Sequence, residues 1–389
     1  MNTKLIVLIL ASLSAIWLTH GADNCPTNDK VLFCYYANWA IYRKDMGKFT
    51  TNDIDPSLCT HLIYAFSGLS QYGGIESLDT ENDYTRGGYA NFTALKTQNP
   101  CLKTLLAIGG WNQGSRKYSV MASEDKYRQA FIDSVIRFLV QYDFDGLDFD
   151  WEYPSERGGI AEDKANYGLL LKELKETLSK WDLLLTIAVP ISTSIMNAAY
   201  DLTAINNYVD YVLIMGYDYT PTDSATTGWL SPLNEINKTV EAWKQAVPTN
   251  KIILGVPAYG RSFTLFSSGS YVIGAATTGP GAAGDYTGEP GFLSYQEVIF
   301  CLILSVQILL YELFFLQIQA KVQSQLYTIV QDEVAQNNYA YYRNAMDWIC
   351  YETEANYIAK VMHTGFKNFN GIYDEKPLHF RQTTSWITI

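Results

Sequence analysis

Phe144-Asp145-Gly146-Leu147-Asp148-Phe149-Asp150-Trp151-Glu152-Tyr153-Pro154 alternates acidic and apolar residues. Alternate side chains of a strand share a face. Asp148, Asp150 and Glu152 are therefore expected on one face, with Leu147, Phe149, Trp151 and Tyr153 on the other. In a closed barrel the acids would look inward and the apolar face would meet the surrounding helices. Several carboxylates crowded in such an interior cannot all ionise cheaply. Burial and repulsion raise at least one pKa, and the proton so retained is what a general acid requires. Glu152 stands at the C-terminal end of the strand, where barrel active sites lie. A solvated acidic edge would not interleave Leu, Phe, Trp and Tyr so regularly. A divalent-metal site would ask for oxygen ligands from other segments, and the four histidines have no ligand spacing. No metal and no cofactor are expected.

Outward from this strand, short apolar runs recur at 31–39, 61–66, 103–111, 183–190, 211–218 and 251–260. Helical patterns fill the gaps. One opens at Ser123 as a cap, with Glu124 and Asp125 in its first turn, and carries Phe131, Val135, Phe138 and Leu139 at helical spacing. Another covers 163–180, with Leu170, Leu171, Leu174 and Leu178 on one stripe. Strand–helix alternation with near-continuous apolar strands implies a parallel sheet covered by helices. With 146–152 these make seven runs, and an eighth near 369–373 predicts an α/β fold of the (β/α)8 barrel class. A doubly wound open sheet is the rival, weakened because no Gly-rich nucleotide loop follows the first strand.

The rhythm breaks over 263–342, which reads as a smaller α+β insertion between barrel segments 22–262 and 343–389. Within it, 298–318 (VIFCLILSVQILLYELFFLQI) is long enough to cross a bilayer. Gln307, Glu312 and Gln317 would be costly there, so no stable membrane insertion is expected. A buried helix and a translated intron are the alternatives.

Residues 1–21 read as a secretory signal, with Lys4 ahead of an apolar run and small residues near a cleavage point. An extracellular location follows as an expectation. Some of Cys25, Cys34, Cys59, Cys101, Cys301 and Cys350 should pair there, in a connectivity that spacing leaves open. Asn91-Phe92-Thr93 and Asn237-Lys238-Thr239 are glycosylation sequons. The net charge of −12 argues against nucleic acid, which needs a Lys/Arg surplus, and is compatible with a neutral polymer. The 9 Trp and 29 Tyr would suit a groove for sugar rings, although most single tyrosines are core residues.

The acidic strand resembles the DxxDxDxE signature of the chitinases of glycoside hydrolase family 18, with Asp145, Asp148, Asp150 and Glu152 at its four positions. Other segments agree: Cys34-Tyr35-Tyr36-Ala37-Asn38-Trp39, Leu58 through Phe66, Ala107-Ile108-Gly109-Gly110-Trp111-Asn112, Met215-Gly216-Tyr217-Asp218 (the MxYD pattern), and Gly255 through Phe263. The pattern is closest to animal, insect-type secreted chitinases. The resemblance implies retaining hydrolysis of chitin or chitooligosaccharides without an enzyme nucleophile. Glu152 would be acid and then base, Asp150 would hold the acetamido group, and Asp148 would tune Asp150. Tyr217 and Asp218 would position the sugar. Tyr35, Trp39, Phe66, Gly110, Trp111, Asn112, Met215, Tyr259 and Arg261 would line the site, and Cys34 would pair with Cys59. Cys301 with Cys350 is a further candidate pair. A monomer is expected.

The chain also departs from the family pattern. Tyr219-Thr220-Pro221-Thr222-Asp223 replaces a Trp-bearing segment after MxYD, and Tyr373-Asp374 follows Asn370-Gly371-Ile372 where the family has a Trp flooring the central subsite. A chitinase-like lectin or growth factor with little hydrolysis is the alternative reading.

Overall fold

The computed structural model describes Cys25 and residues 31–295, 297–298, 327–342, 346–363 and 386–388. The expected signal at 1–21, the apolar segment beyond Val298 and the expected strand at 369–373 lie outside these residues. No helix among the described residues is long and apolar enough to cross a membrane.

Seven parallel strands form where the apolar runs stand: β1 (Phe33–Ala37), β2 (His61–Leu69), β4 (Lys103–Gly109), β5 (Gly146–Asp150), β6 (Leu184–Val189), β7 (Tyr211–Ile214) and β8 (Ile252–Pro257). The short β3 (Ile75–Ser77) pairs antiparallel with β2. A second sheet follows β8 at once: β9 (Tyr259–Leu265), β10 (Thr277–Pro280), β11 (Phe292–Ser294), β12 (Thr328–Asp332), β13 (Asn337–Tyr342) and β14 (Asp347–Tyr351), in the order β10-β9-β14-β13-β12 with β11 also on β9. The last strand, β15 (Trp386–Thr388), lies antiparallel between β8 and β1. Because β1 also pairs with β2, the ring of eight closes. The fold is a (β/α)8 barrel, with an antiparallel strand in the eighth place.

The strand alternation separates two cores. Phe33, Tyr35, Ile63, Ala65, Leu105, Ala107, Leu213 and Ile253 fill the interior. Their neighbours Cys34, Tyr36, Leu62, Tyr64, Leu106, Leu147, Phe149 and Ile187 pack outward beneath the helices. The helix Asp125–Tyr142 buries Phe131, Val135 and Leu139 as its spacing predicts. Ser123 does not cap it. Ser123 ends the preceding helix Arg116–Ser123, where its hydroxyl donates to the Val120 carbonyl, and Glu124 takes the cap position.

Cys34 is disulfide-bonded to Cys59, tying β1 to the start of β2, and Cys25 to Cys101. Cys350 is a free, buried thiol that donates to Asn337 Oδ1, and the candidate partner Cys301 lies outside the described residues. Beside it a fully buried Lys360–Glu352 ion pair, joined by Ser231 and Asn337, ties the second sheet to the helix Glu354–His363.

Candidate active site

Strand β5 carries the acidic ladder. Its outward residues Leu147 and Phe149, with Trp151 just beyond, are buried against the helices. Phe149 meets Tyr118, Phe131 and Tyr167, and Trp151 meets Tyr118 and Tyr167. Inward, Asp148 pairs in register with Ala107 on one side and Thr186 on the other, and Asp150 with Gly109. Small neighbours are what make room for carboxylates in a barrel filled mostly by large side chains. At Gly109, φ is +119° and an added Cβ would overlap the Asp150 carbonyl oxygen, so only glycine lets β4 approach so closely.

The three acids sit in three different environments. Asp148 is fully buried and accepts hydrogen bonds from Tyr35 Oη at 2.8 Å and Thr186 Oγ1 at 2.5 Å. Burial pushes its pKa up and the two donors pull it back, leaving it at about 6. Asp150 is buried, and its Oδ1 accepts no hydrogen bond from the described residues. Burial and the adjacent Glu152 and Asp148 charges hold its carboxyl well above the usual range. Glu152 is half-buried at the mouth. Burial raises it to about 7, against the opposing pull of a Tyr153 hydrogen bond and the Arg157 charge, with a small contribution from Asp218 in the same upward direction. A proton is thus available near neutrality at the solvent-facing end of the ladder, above a buried oxygen in want of a donor.

Across the mouth, Asp218 leaves β7 with φ of +59°, a backbone region that Asp tolerates better than most residues. It accepts a bidentate pair from Arg261, Nε to Oδ1 at 2.8 Å and Nη2 to Oδ2 at 2.7 Å, and a third bond from Tyr259 Oη at 2.7 Å. Both donors come from β9, so the second sheet supplies this wall. Tyr217 is buried, and its hydroxyl is pushed upward by burial and by Asp150, Glu152 and Asp218. Its ring stands edge-on to Tyr259, with centroids 6.2 Å apart, and half-buried Met215 packs on the same cluster.

The other expected lining residues divide. Trp39 and Phe66 stack with centroids 6.2 Å apart, Trp39 largely exposed, and Gly110 lies under the Phe66 ring. Trp111 is 58% exposed, with the Arg157 guanidinium 3.5 Å from its ring centre. Asn112 is solvent-exposed in the turn Trp111–Gln113. Asn91 is exposed, whereas Asn237 is half-exposed within the helix Leu233–Lys244 and the Thr239 hydroxyl donates to the Ile191 carbonyl.

One reading of the motif needs correction. Tyr153 does not join the outward face. β5 ends at Asp150, so alternation no longer applies, and Tyr153 stands with Glu152, Asp150 and Asp218; burial most, and then these three neighbours, raise its hydroxyl's pKa. Asp145, at the first position of the signature, stands at the other end of the strand. At the strand's start it accepts from Thr104 N at 2.8 Å and pairs with Lys96 at 3.1 Å, pinning β5 to β4. Sequence reasoning also missed Thr186, whose signal was a lone hydroxyl inside the apolar run 183–190.

Comparison with known proteins fits this geometry. The chain is 40% identical over 316 residues to the protein named "Probable chitinase 2" of Drosophila melanogaster, covering 78% of this chain and 64% of that one. To "Chitotriosidase-1" of Mus musculus it is 40% identical over 286 residues, covering 68% of this chain and 61% of that one. The aligned part thus spans less than two thirds of either relative. The crystal structure of the Group IV chitinase of Ostrinia furnacalis superposes with a TM-score of 0.79 at 35% identity, covering 90% of this chain and 97% of that one, and that enzyme has also been solved with allosamidin. The family model described as Glycosyl hydrolases family 18 matches residues 31–373, and the chain belongs to that family.

Proposed function

We propose that this protein hydrolyses β-1,4 linkages in polymers of N-acetylglucosamine, chitin or its oligosaccharides, with retention at the anomeric carbon. The observation that carries the reading is the pairing of Glu152, titrating near pH 7, with the unsatisfied buried oxygen of Asp150. Glu152 donates its proton to the glycosidic oxygen as the C1–O bond breaks. The acetamido carbonyl oxygen of the same sugar attacks C1 and forms an oxazolinium ring. Intramolecular attack has a high effective molarity, so no enzyme nucleophile is needed. Asp150 accepts the acetamido N–H and faces the positive charge of the ring, which satisfies the orphaned oxygen. Asp148, held by Tyr35 and Thr186, biases the proton distribution along the ladder. Glu152, now ionised, takes a proton from water as that water opens the ring. Tyr217 donates to the acetamido oxygen, and Asp218, fixed by Arg261 and Tyr259, orients the sugar. Trp39, Phe66 and Trp111 offer ring faces to the chain of sugars, with Met215, Gly110 and Asn112 bordering them. The second sheet, through Tyr259 and Arg261 of β9, forms the wall behind Asp218. A secreted, extracellular monomer is the state we assign.

Proton NMR of chitotetraose during early hydrolysis tests the mechanism. The β-anomer should form first. First-formed α-anomer would overturn the substrate-assisted route. One observation favours the alternative of binding without hydrolysis: Tyr373 stands where the family pattern has its floor Trp. Tight oligosaccharide binding with no reducing ends released would establish that reading.

A further inference from the structure

The turn at Trp111–Ser115 and the turn at Trp151–Arg157 are clasped at several points around the acid. Ser115 Oγ accepts from Trp151 Nε1 at 2.9 Å and donates to the Tyr153 carbonyl at 2.8 Å, bracketing Glu152 from both sides. Ser115 N donates to the Arg157 carbonyl at 3.4 Å. On the solvent side, Arg157 Nη1 donates to the Trp111 carbonyl at 2.7 Å and to the Glu152 carbonyl at 3.0 Å, and its guanidinium lies 3.5 Å from the Trp111 ring centre.

We propose that Arg157 is a positioning residue that locks the Trp111 ring to the backbone of Glu152 and keeps a positive charge beside the acid. A guanidinium is planar, so it can cover one face of an indole and still donate in its own plane, and a lysine cannot do both. With one face of Trp111 covered by Arg157, the other is left for a sugar. The charge acts on Glu152 among the other groups facing it: Asp150 on its own strand, Tyr153 on its own turn, Tyr217 and Asp218 beyond β7, and Tyr200 after the helix Thr193–Ala199. Arg157 is the cation among those named. The proposal deepens the hydrolase reading and rests on it for the sugar, but not for the charge.

The experiment uses the full chain as wild type, Arg157→Ala and Arg157→Lys. Carbon-13 NMR of side-chain-labelled glutamate, with Glu152→Gln assigning the resonance, follows the Glu152 midpoint without substrate. Arg157→Ala should raise that midpoint by roughly half a pH unit, as loss of one partly screened charge implies, and Arg157→Lys should restore it. On a fluorogenic chitotriose glycoside, both variants should raise KM several-fold, because neither holds the ring flat. In Arg157→Ala the alkaline limb of kcat/KM should move up with the midpoint. An unchanged midpoint in Arg157→Ala, or full recovery of KM in Arg157→Lys, overturns the proposal. If the wild type turns over no glycoside, the hydrolase reading fails while the titration still decides the role of Arg157.

Discussion

Replacing Glu152 by Gln should make the protein more stable at high pH and leave it unchanged at low pH. The raised carboxyl has a consequence for folding. In the unfolded chain Glu152 ionises near its ordinary 4.5, whereas in the fold it keeps its proton to about 7. Between those values the native state binds one proton more than the unfolded state, so this group's contribution to stability falls as pH rises. Below 4.5 both states are protonated and nothing is lost. Above 7 the loss is complete. The gap corresponds to about 3 kcal/mol at about 1.4 kcal/mol per pH unit. Glu152 is half-buried, and solvent screening brings this to about 2 kcal/mol. Gln has the same shape and no charge, so the variant escapes the loss. Urea unfolding of both proteins from pH 4 to 8.5 measures it. The stability difference should grow from near zero at pH 4 to about 2 kcal/mol in favour of Gln above pH 7. A difference that stays flat, or one that favours the wild type at high pH, would refute the claim that this acid is held protonated by its surroundings.

Other consequences are open to measurement. Asp150→Asn keeps the volume and removes the ionisable oxygen proposed to face the reacting sugar, and should lower kcat by about 100-fold or more, read with a fluorogenic chitotriose glycoside. Arg261→Lys keeps a cation but loses the fork that grips Asp218, and should raise KM about 10-fold while the overall fold, read by circular dichroism, is retained. Replacing Cys34 and Cys59 together by Ser opens a cross-link between residues 25 apart in sequence and should cost about 3 kcal/mol in chemical denaturation.

Much of this was legible because a strand obeys a strict alternation. Leu147, Phe149 and Trp151 do pack outward, and Asp148 and Asp150 do face the interior, as a period of two requires. The same rule failed at Tyr153, one turn too far, since β5 stops at Asp150. A motif match also leaves the task of each member unstated. Asp145 matched the first position of the signature with no role attached, and its bonds to Thr104 and Lys96 make it a pin at the opposite end of the strand. The strand in the eighth place was not foreseen because Trp386–Thr388 is three residues long in a polar tail. Arg157 lies in a Ser-Glu-Arg-Gly-Gly stretch with no periodicity, and its importance comes from where the loop sets it, against Trp111 and the Glu152 carbonyl.

The most direct test is turnover and binding by Glu152→Gln on one chitooligosaccharide. Hydrolysis should fall by at least about 100-fold, the scale of a lost general acid, while the dissociation constant measured by calorimetry stays close to that of the wild type. A Gln variant that cleaves at a near wild-type rate would contradict the account, because the proton on that side chain would then have no part in breaking the bond.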